Sequence, residues 1–206
     1  MERAQIALCD LLNGGNFTKF RKLYRLAGQS GSGKTTRLLP GMLRNCNGTP
    51  VIISVGFFAQ YHPTLPATER ERTNGFALKC LYVALKSVIE HGYMIVVDKT
   101  LLAPELESHV WNWLQSNDYQ VEYHIKAVSK QQSDEFIKTR EQQTGRKVSE
   151  ESSEYFYEIL PIALEFLATK DYDSTATVWT AFGEEPIHVG DLTGAVDALH
   201  VGRASD

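Results

Sequence analysis

The chain has 206 residues, 43% hydrophobic and 22% charged, with Lys+Arg 21 against Asp+Glu 25 and a formal net charge of -4. That length and composition suffice for a buried core without disulfides or a structural metal, which excludes a disulfide-stapled scaffold and bulk disorder. The acidic balance excludes a global basic field for gripping a nucleic-acid backbone, so nucleic acid is a poor fit as a partner.

In chain order, residues 1–23 read as a helix-like prelude. Glu2, Arg3 and Asp10 interrupt its apolar residues, so it holds no signal-peptide core, and no later run is long enough for a membrane span. Short apolar runs follow at Tyr24–Ala27, Val51–Val55, Tyr93–Val97, Val121–Val128 and Thr175–Phe182, separated by longer segments of helical spacing. That alternation predicts a parallel sheet with crossover helices. Ala77, Leu81, Ala84, Leu85 and Val88 place one crossover helix within 68–91, closed by Gly92. Pro104 opens the next, over 104–116, and a third runs from Glu150 to Thr169, where Pro161 is expected to kink or split it. The last residues, about 190–206, are expected to be a loose tail after a core over 24–182, the whole forming a single domain. Cys9, Cys46 and Cys80 form no CxxC pair, which points to reduced thiols in the cytoplasm.

Directly after the first run comes Gly28-Gln29-Ser30-Gly31-Ser32-Gly33-Lys34-Thr35-Thr36, which fits G-x-x-x-x-G-K-[ST]. Its glycines let consecutive backbone N–H groups converge on an anion at the start of a helix. Lys34 would reach the β and γ phosphates of ATP or GTP, and the Thr35 hydroxyl would ligate Mg2+. The fold expected is therefore a P-loop kinase-like three-layer α/β/α arrangement around a mostly parallel sheet. Met94-Ile95-Val96-Val97-Asp98 supplies a carboxylate at the end of a neighbouring strand for the metal shell. Arg140 and Arg146, with Lys138 and Lys147 beside them, sit in a polar segment between helical patterns and suit a lid whose cations close over the transferred group. The six histidines have no paired ligand spacing, so no transition-metal site is expected.

These residues resemble the zeta toxins, bacterial P-loop kinases of toxin–antitoxin systems. The resemblance rests on the loop, on Val51-Ile52-Ile53-Ser54-Val55-Gly56-Phe57-Phe58-Ala59-Gln60-Tyr61-His62-Pro63 with its closing His-Pro, and on Gly92-Tyr93 leading through the apolar strand to Asp98-Lys99-Thr100. It implies phosphorylation of the 3′-hydroxyl of UDP-N-acetylglucosamine, a block to cell-wall synthesis, and an antitoxin that covers the nucleotide site. It also implies Lys34, Asp98, Arg140 and Arg146 in catalysis, and Gly56, His62, Asp98, Lys99 and Thr100 on the acceptor side.

The family's general base, a carboxylate six residues before the His-Pro histidine, falls here on Gly56. Glycine accepts no proton, and loss of a base typically costs on the order of 10²–10⁴ in rate. Ser54 and Ala59 also stand where the family carries charge, and Asp98 and Lys99 replace Glu and Gly. Four readings follow: an ordinary zeta kinase with a substituted residue, a diverged kinase in which Asp98 is the base, a kinase for a nucleoside or polynucleotide hydroxyl, or a nucleotide-binding pseudokinase that acts through a protein partner.

Overall fold

The structure is a computed structural model that describes residues 2–13, 15–101, 104–170, 173–180 and 185–204. Helix α1 (Glu2–Leu12) precedes β1 (Lys22–Ala27), the phosphate-loop sequence, a π-helical turn over Lys34–Leu38 and α2 (Leu39–Arg44). Then come β2 (Val51–Ser54), the single-turn α3 (Val55–Phe58), the long α4 (Arg70–Glu90), β3 (Ile95–Asp98) and α5 (Pro104–Gln115). The chain continues through β4 (Gln120–Lys126), α6 (Lys130–Thr144), α7 (Glu150–Ala168), β5 (Ser174–Trp179), β6 (His188–Gly190) and α8 (Leu192–Ala204).

The six described strands form one sheet in the order β2-β3-β1-β4-β5-β6. The first five in sequence are parallel and β6 is antiparallel to β5. All four residues of β3 are buried, as expected of a strand inside a parallel sheet covered on both faces. Side chains alternate between the faces. Leu23, Ile53, Val97, Tyr123, Ile125 and Val178 pack with α1, α4, α5, α7 and α8 into the main core. Tyr24, Leu26, Met94 and Val96 meet Leu38 and Met42 in a smaller cluster on the other face. Register aligns Leu26, Ser54 and Asp98 at one edge, so the loop after β1 and the chain after β2 emerge beside the end of β3.

Three sequence expectations change. The N-terminal prelude is helical only to Leu12. The loose tail is instead α8, which buries Leu192, Ala195 and Leu199 and brings Gly202 against Ala127. Asp191 begins it, its carboxylate accepting from Gly194 N at 2.8 Å, and that cap followed by apolar residues at helical spacing was the available signal. Pro161 does not split α7. A proline there deprives the Tyr157 carbonyl of its helical donor, and Arg203 Nη2 supplies one at 2.9 Å. The apolar runs hold with shifted ends: Val55 opens α3, and Phe182 lies outside the described residues.

Candidate active site at the phosphate loop

The loop is set by backbone sterics. Gly28, Gly31 and Gly33 have φ of 147°, 78° and 83°, a region that L side chains enter at a cost of roughly 1–2 kcal/mol each. At Gly31 a Cβ would also collide with the Ser133 carbonyl of α6, so α6 can lie directly over the loop. Ser133 Oγ donates to the Ser30 carbonyl and Gln29 Nε2 donates to the Val128 carbonyl at 2.5 Å, tying the loop to the end of β4. Gln29 is fully buried and its Oε1 accepts from Arg203 Nη2 at 3.4 Å. Its side chain therefore braces the loop and is not offered to a ligand.

Lys34 Nζ donates to the carbonyls of Gly28 (2.6 Å) and Gln29 (2.8 Å) and approaches Ser32 Oγ at 3.4 Å. Burial pushes its pKa down to about 8, with Asp98 opposing and Arg140, Arg25 and Arg146 reinforcing the shift. Thr35 Oγ1 donates to Asp98 Oδ2 at 2.6 Å, so the hydroxyl and the carboxylate from distant parts of the chain form one oxygen pair. Thr36 is exposed.

Arg140, near the end of α6, and Arg146, in the loop before α7, close the cluster. Burial lowers both guanidinium pKa values, Arg140 to about 10; the charge of Arg146 reinforces the shift at Arg140, and Asp98 opposes it at Arg146. Arg140 Nε and Nη2 and Arg146 Nε are buried without a hydrogen-bond partner. Orphaned buried donors are costly unless an acceptor arrives, and here Arg140 and Arg146 both add their charge to that at Lys34, with Asp98 the carboxylate that opposes it. The arrangement is complementary to a polyanion with oxygen acceptors. The Thr35–Asp98 oxygen pair also suits a hard cation such as Mg2+.

The acceptor side is sparser. Gly56 lies within α3, whose cap is Ser54, its hydroxyl accepting from Phe57 N at 3.2 Å. Ala59 is fully buried. His62 Nδ1 accepts from Thr64 N (3.3 Å) and Leu65 N (3.1 Å), and its ring meets Phe76 edge-on, so one face of the imidazole shapes the turn. Thr100 is half-buried just past β3. Lys99 corrects an expectation. It points to the opposite face from Asp98, buried against Glu107 Oε1 (3.4 Å) and Tyr82 Oη (3.1 Å), and so is not presented to an acceptor. Period-two alternation from Val97 already implied that direction.

Two supports escaped the sequence reading. Arg25, a charge inside the apolar β1, pairs with Glu107 at 2.9 Å and donates to the Lys99 carbonyl at 2.7 Å, fixing the chain just after Asp98. Glu71, at the start of α4, accepts from Ser149 N (2.8 Å) and Ser152 Oγ (3.1 Å) at the start of α7, three residues beyond Arg146. The signal for the first was a buried strand arginine; the second had none.

A family model for zeta toxin matches residues 17–182. The chain belongs to the zeta toxin family. Among solved structures, this zeta toxin chain is similar to one from the PezAT chromosomal toxin–antitoxin system of Streptococcus pneumoniae, at 20% identity and a TM-score of 0.77, covering 100% of this chain and 88% of that one. A putative kinase from Chloroflexus aurantiacus is 18% identical, with a TM-score of 0.55 and coverage of 93% and 99%. A chain of the AvrRxo1-ORF1:-ORF2 complex with ATP is 13% identical, with a TM-score of 0.55 and coverage of 87% and 60%. These likenesses establish a kinase-like α/β fold. No curated protein shows significant sequence similarity to the chain. None of the described helices is long and apolar enough to cross a membrane.

Proposed function

We propose that this zeta toxin is a kinase that transfers the γ-phosphoryl group of ATP or GTP to the 3′-hydroxyl of UDP-N-acetylglucosamine, acting in the cytoplasm and restrained by an antitoxin protein. The observation that carries the reading is the cluster of Lys34, Arg140 and Arg146 around the Thr35–Asp98 pair, with guanidinium nitrogens of both arginines buried and unpartnered. A triphosphate brings the acceptor oxygens those donors lack, and fixed cations favour the charge that develops on the transferred group. The Gly28–Thr36 backbone cradles the phosphates, and Lys34 exchanges the Gly28 and Gln29 carbonyls for phosphate oxygens. Thr35 and Asp98 would hold Mg2+, which when bound neutralises charge on the β and γ oxygens. Family membership, the likeness to a toxin of a toxin–antitoxin system and the likeness to an ATP complex support this assignment.

As the acceptor oxygen bonds to phosphorus and the bond to the leaving diphosphate breaks, the hydroxyl proton needs a base. Gly56 supplies none and Ser54 is engaged as a helix cap, which favours a second reading: slow transfer with Asp98 as the acceptor of the proton, or a pseudokinase.

The test is incubation with ATP, Mg2+ and UDP-N-acetylglucosamine, with mass detection of the phosphorylated sugar nucleotide. Gly56→Asp is expected to raise turnover by about 10² or more, and Lys34→Ala to abolish it. If neither form at position 56 transfers phosphate although ATP raises the melting temperature, this acceptor is wrong and the pseudokinase reading replaces it.

A further inference from the structure

The sheet face that carries α2 is thinly covered, and it holds a groove distinct from the phosphate loop. Strand residues from Lys22, the first of β1, to Lys126 and Trp179, the last of β4 and β5, bound a cavity of about 580 Å³ with α2 along one side. That is the volume of a small-molecule site, and no residue of 28–36 lines it.

Its charge runs against that of the chain. Lys22, Arg37, Arg44 and Lys126 line it against a single carboxylate, Glu122, on a protein of net charge -4. Glu122 is already committed, with Lys22 Nζ at 2.8 Å and His124 Nε2 at 2.9 Å. Those two partners, His124 foremost, hold its carboxyl down to about 2 against the opposing effect of burial. Lys126 is buried, and that burial together with neighbouring Arg37 pushes its pKa down to about 8. Exposed Arg44 has no ion pair or hydrogen bond among the described residues. An entering anion therefore meets Arg44 and Lys126, which pair with no carboxylate among the described residues, Lys126 donating instead to the Thr180 carbonyl.

The walls add selectivity for a flat ring. Tyr24 and Trp179 face the groove, and Asn45 and Asn47 offer amides at its α2 side. His124 Nδ1 and Trp179 Nε1 are buried without hydrogen-bond partners, and the His124 side chain is only 9% exposed. Aromatic surface, amides and excess cations together match a heterocyclic base carrying a phosphate.

We propose that this groove is a second binding site, for a phosphorylated nucleoside, separate from the triphosphate loop. Arg37 belongs to the same helical turn as Lys34 and Thr35, so a ligand there bears on the loop's helix. The proposal is independent of the kinase assignment.

Nucleoside 5′-monophosphates test it, because they lack the β and γ phosphates that the loop grips. AMP, GMP, CMP, UMP and inorganic phosphate are titrated by calorimetry and tryptophan fluorescence at low salt, into the parent chain and into Lys34→Ala, Arg44→Glu and Trp179→Leu, each checked for folding by melting. At least one monophosphate is expected to bind and quench fluorescence, equally in the parent and in Lys34→Ala. Binding should weaken about tenfold in Arg44→Glu, the loss of one interaction of about 1.4 kcal/mol, and vanish from the calorimeter in Trp179→Leu. Loss of binding in Lys34→Ala, equal binding of inorganic phosphate, or binding of a single-stranded oligonucleotide but of no monophosphate would each overturn the proposal. Failure of the kinase assay leaves these titrations unaffected.

Discussion

Lys34 is an ammonium held at the edge of its charged range. With its pKa lowered to about 8 from 10.5, mainly by burial, the folded chain gives up this proton at a pH where the unfolded chain still keeps it. Stability from this group therefore rises with pH between about 8 and 10.5, the reverse of a lysine that gains a partner. A bound triphosphate favours the charged form, so ATP binding at pH 8.5 is expected to take up a fraction of a proton. Calorimetry in two buffers of different ionisation enthalpy reads it directly, and identical heats in both would contradict the account. The loop itself was fully legible, because its glycines, lysine and threonine are adjacent in sequence and their conformational demands are local. The bracing role of Gln29 was not, because its partner Val128 lies 99 residues away, whereas the direction of Lys99 followed from strand alternation.

At the scale of elements, one carboxylate ties the segment after Arg146 to the far side of the site. Glu71 links the start of α4 to the start of α7, and the hydrogen bonds from Ser149 and Ser152 lower its pKa against the opposing effect of desolvation. The tie is therefore fully present above the ordinary glutamate value of 4.5 and is lost as pH falls through the depressed value. In Glu71→Ala, hydrogen exchange over residues 145–152 is expected to speed about tenfold at neutral pH, while β1 and β3 exchange as before. Unchanged protection at Arg146 would show that the lid is held by other contacts. Elements of eight residues or more with strong periodicity, α4 and α5 among them, were readable from spacing alone. The short α3 and β6 were not, since four and three residues carry too little pattern to distinguish them from loop.

Across the whole molecule, a chain of contacts joins a helix-breaking residue to the phosphate loop. Pro161 frees the Tyr157 carbonyl, Arg203 binds that carbonyl and stacks over the Tyr157 ring at 3.9 Å, and the same guanidinium reaches Gln29 in the loop. Arg203→Met leaves the carbonyl unsatisfied, and urea denaturation is expected to show a loss of about 1–3 kcal/mol. The ATP-dependent rise in melting temperature should shrink as well. A full thermal shift in a destabilised variant would separate the brace from the site. Sequence order hid this linkage, because residues 29, 157 and 203 meet only after the sheet and α8 are assembled.

Arg203 also imposes a timetable. A chain emerging from the ribosome has its glycine loop, Asp98 and both lid arginines outside well before α8, yet the brace on Gln29 exists only once residue 203 has followed. On the proposed function, nucleotide capture thus waits until α8 has been made. Chains arrested short of α8 should retain ATP poorly in a filter assay, so that a half-made toxin is a quiet one.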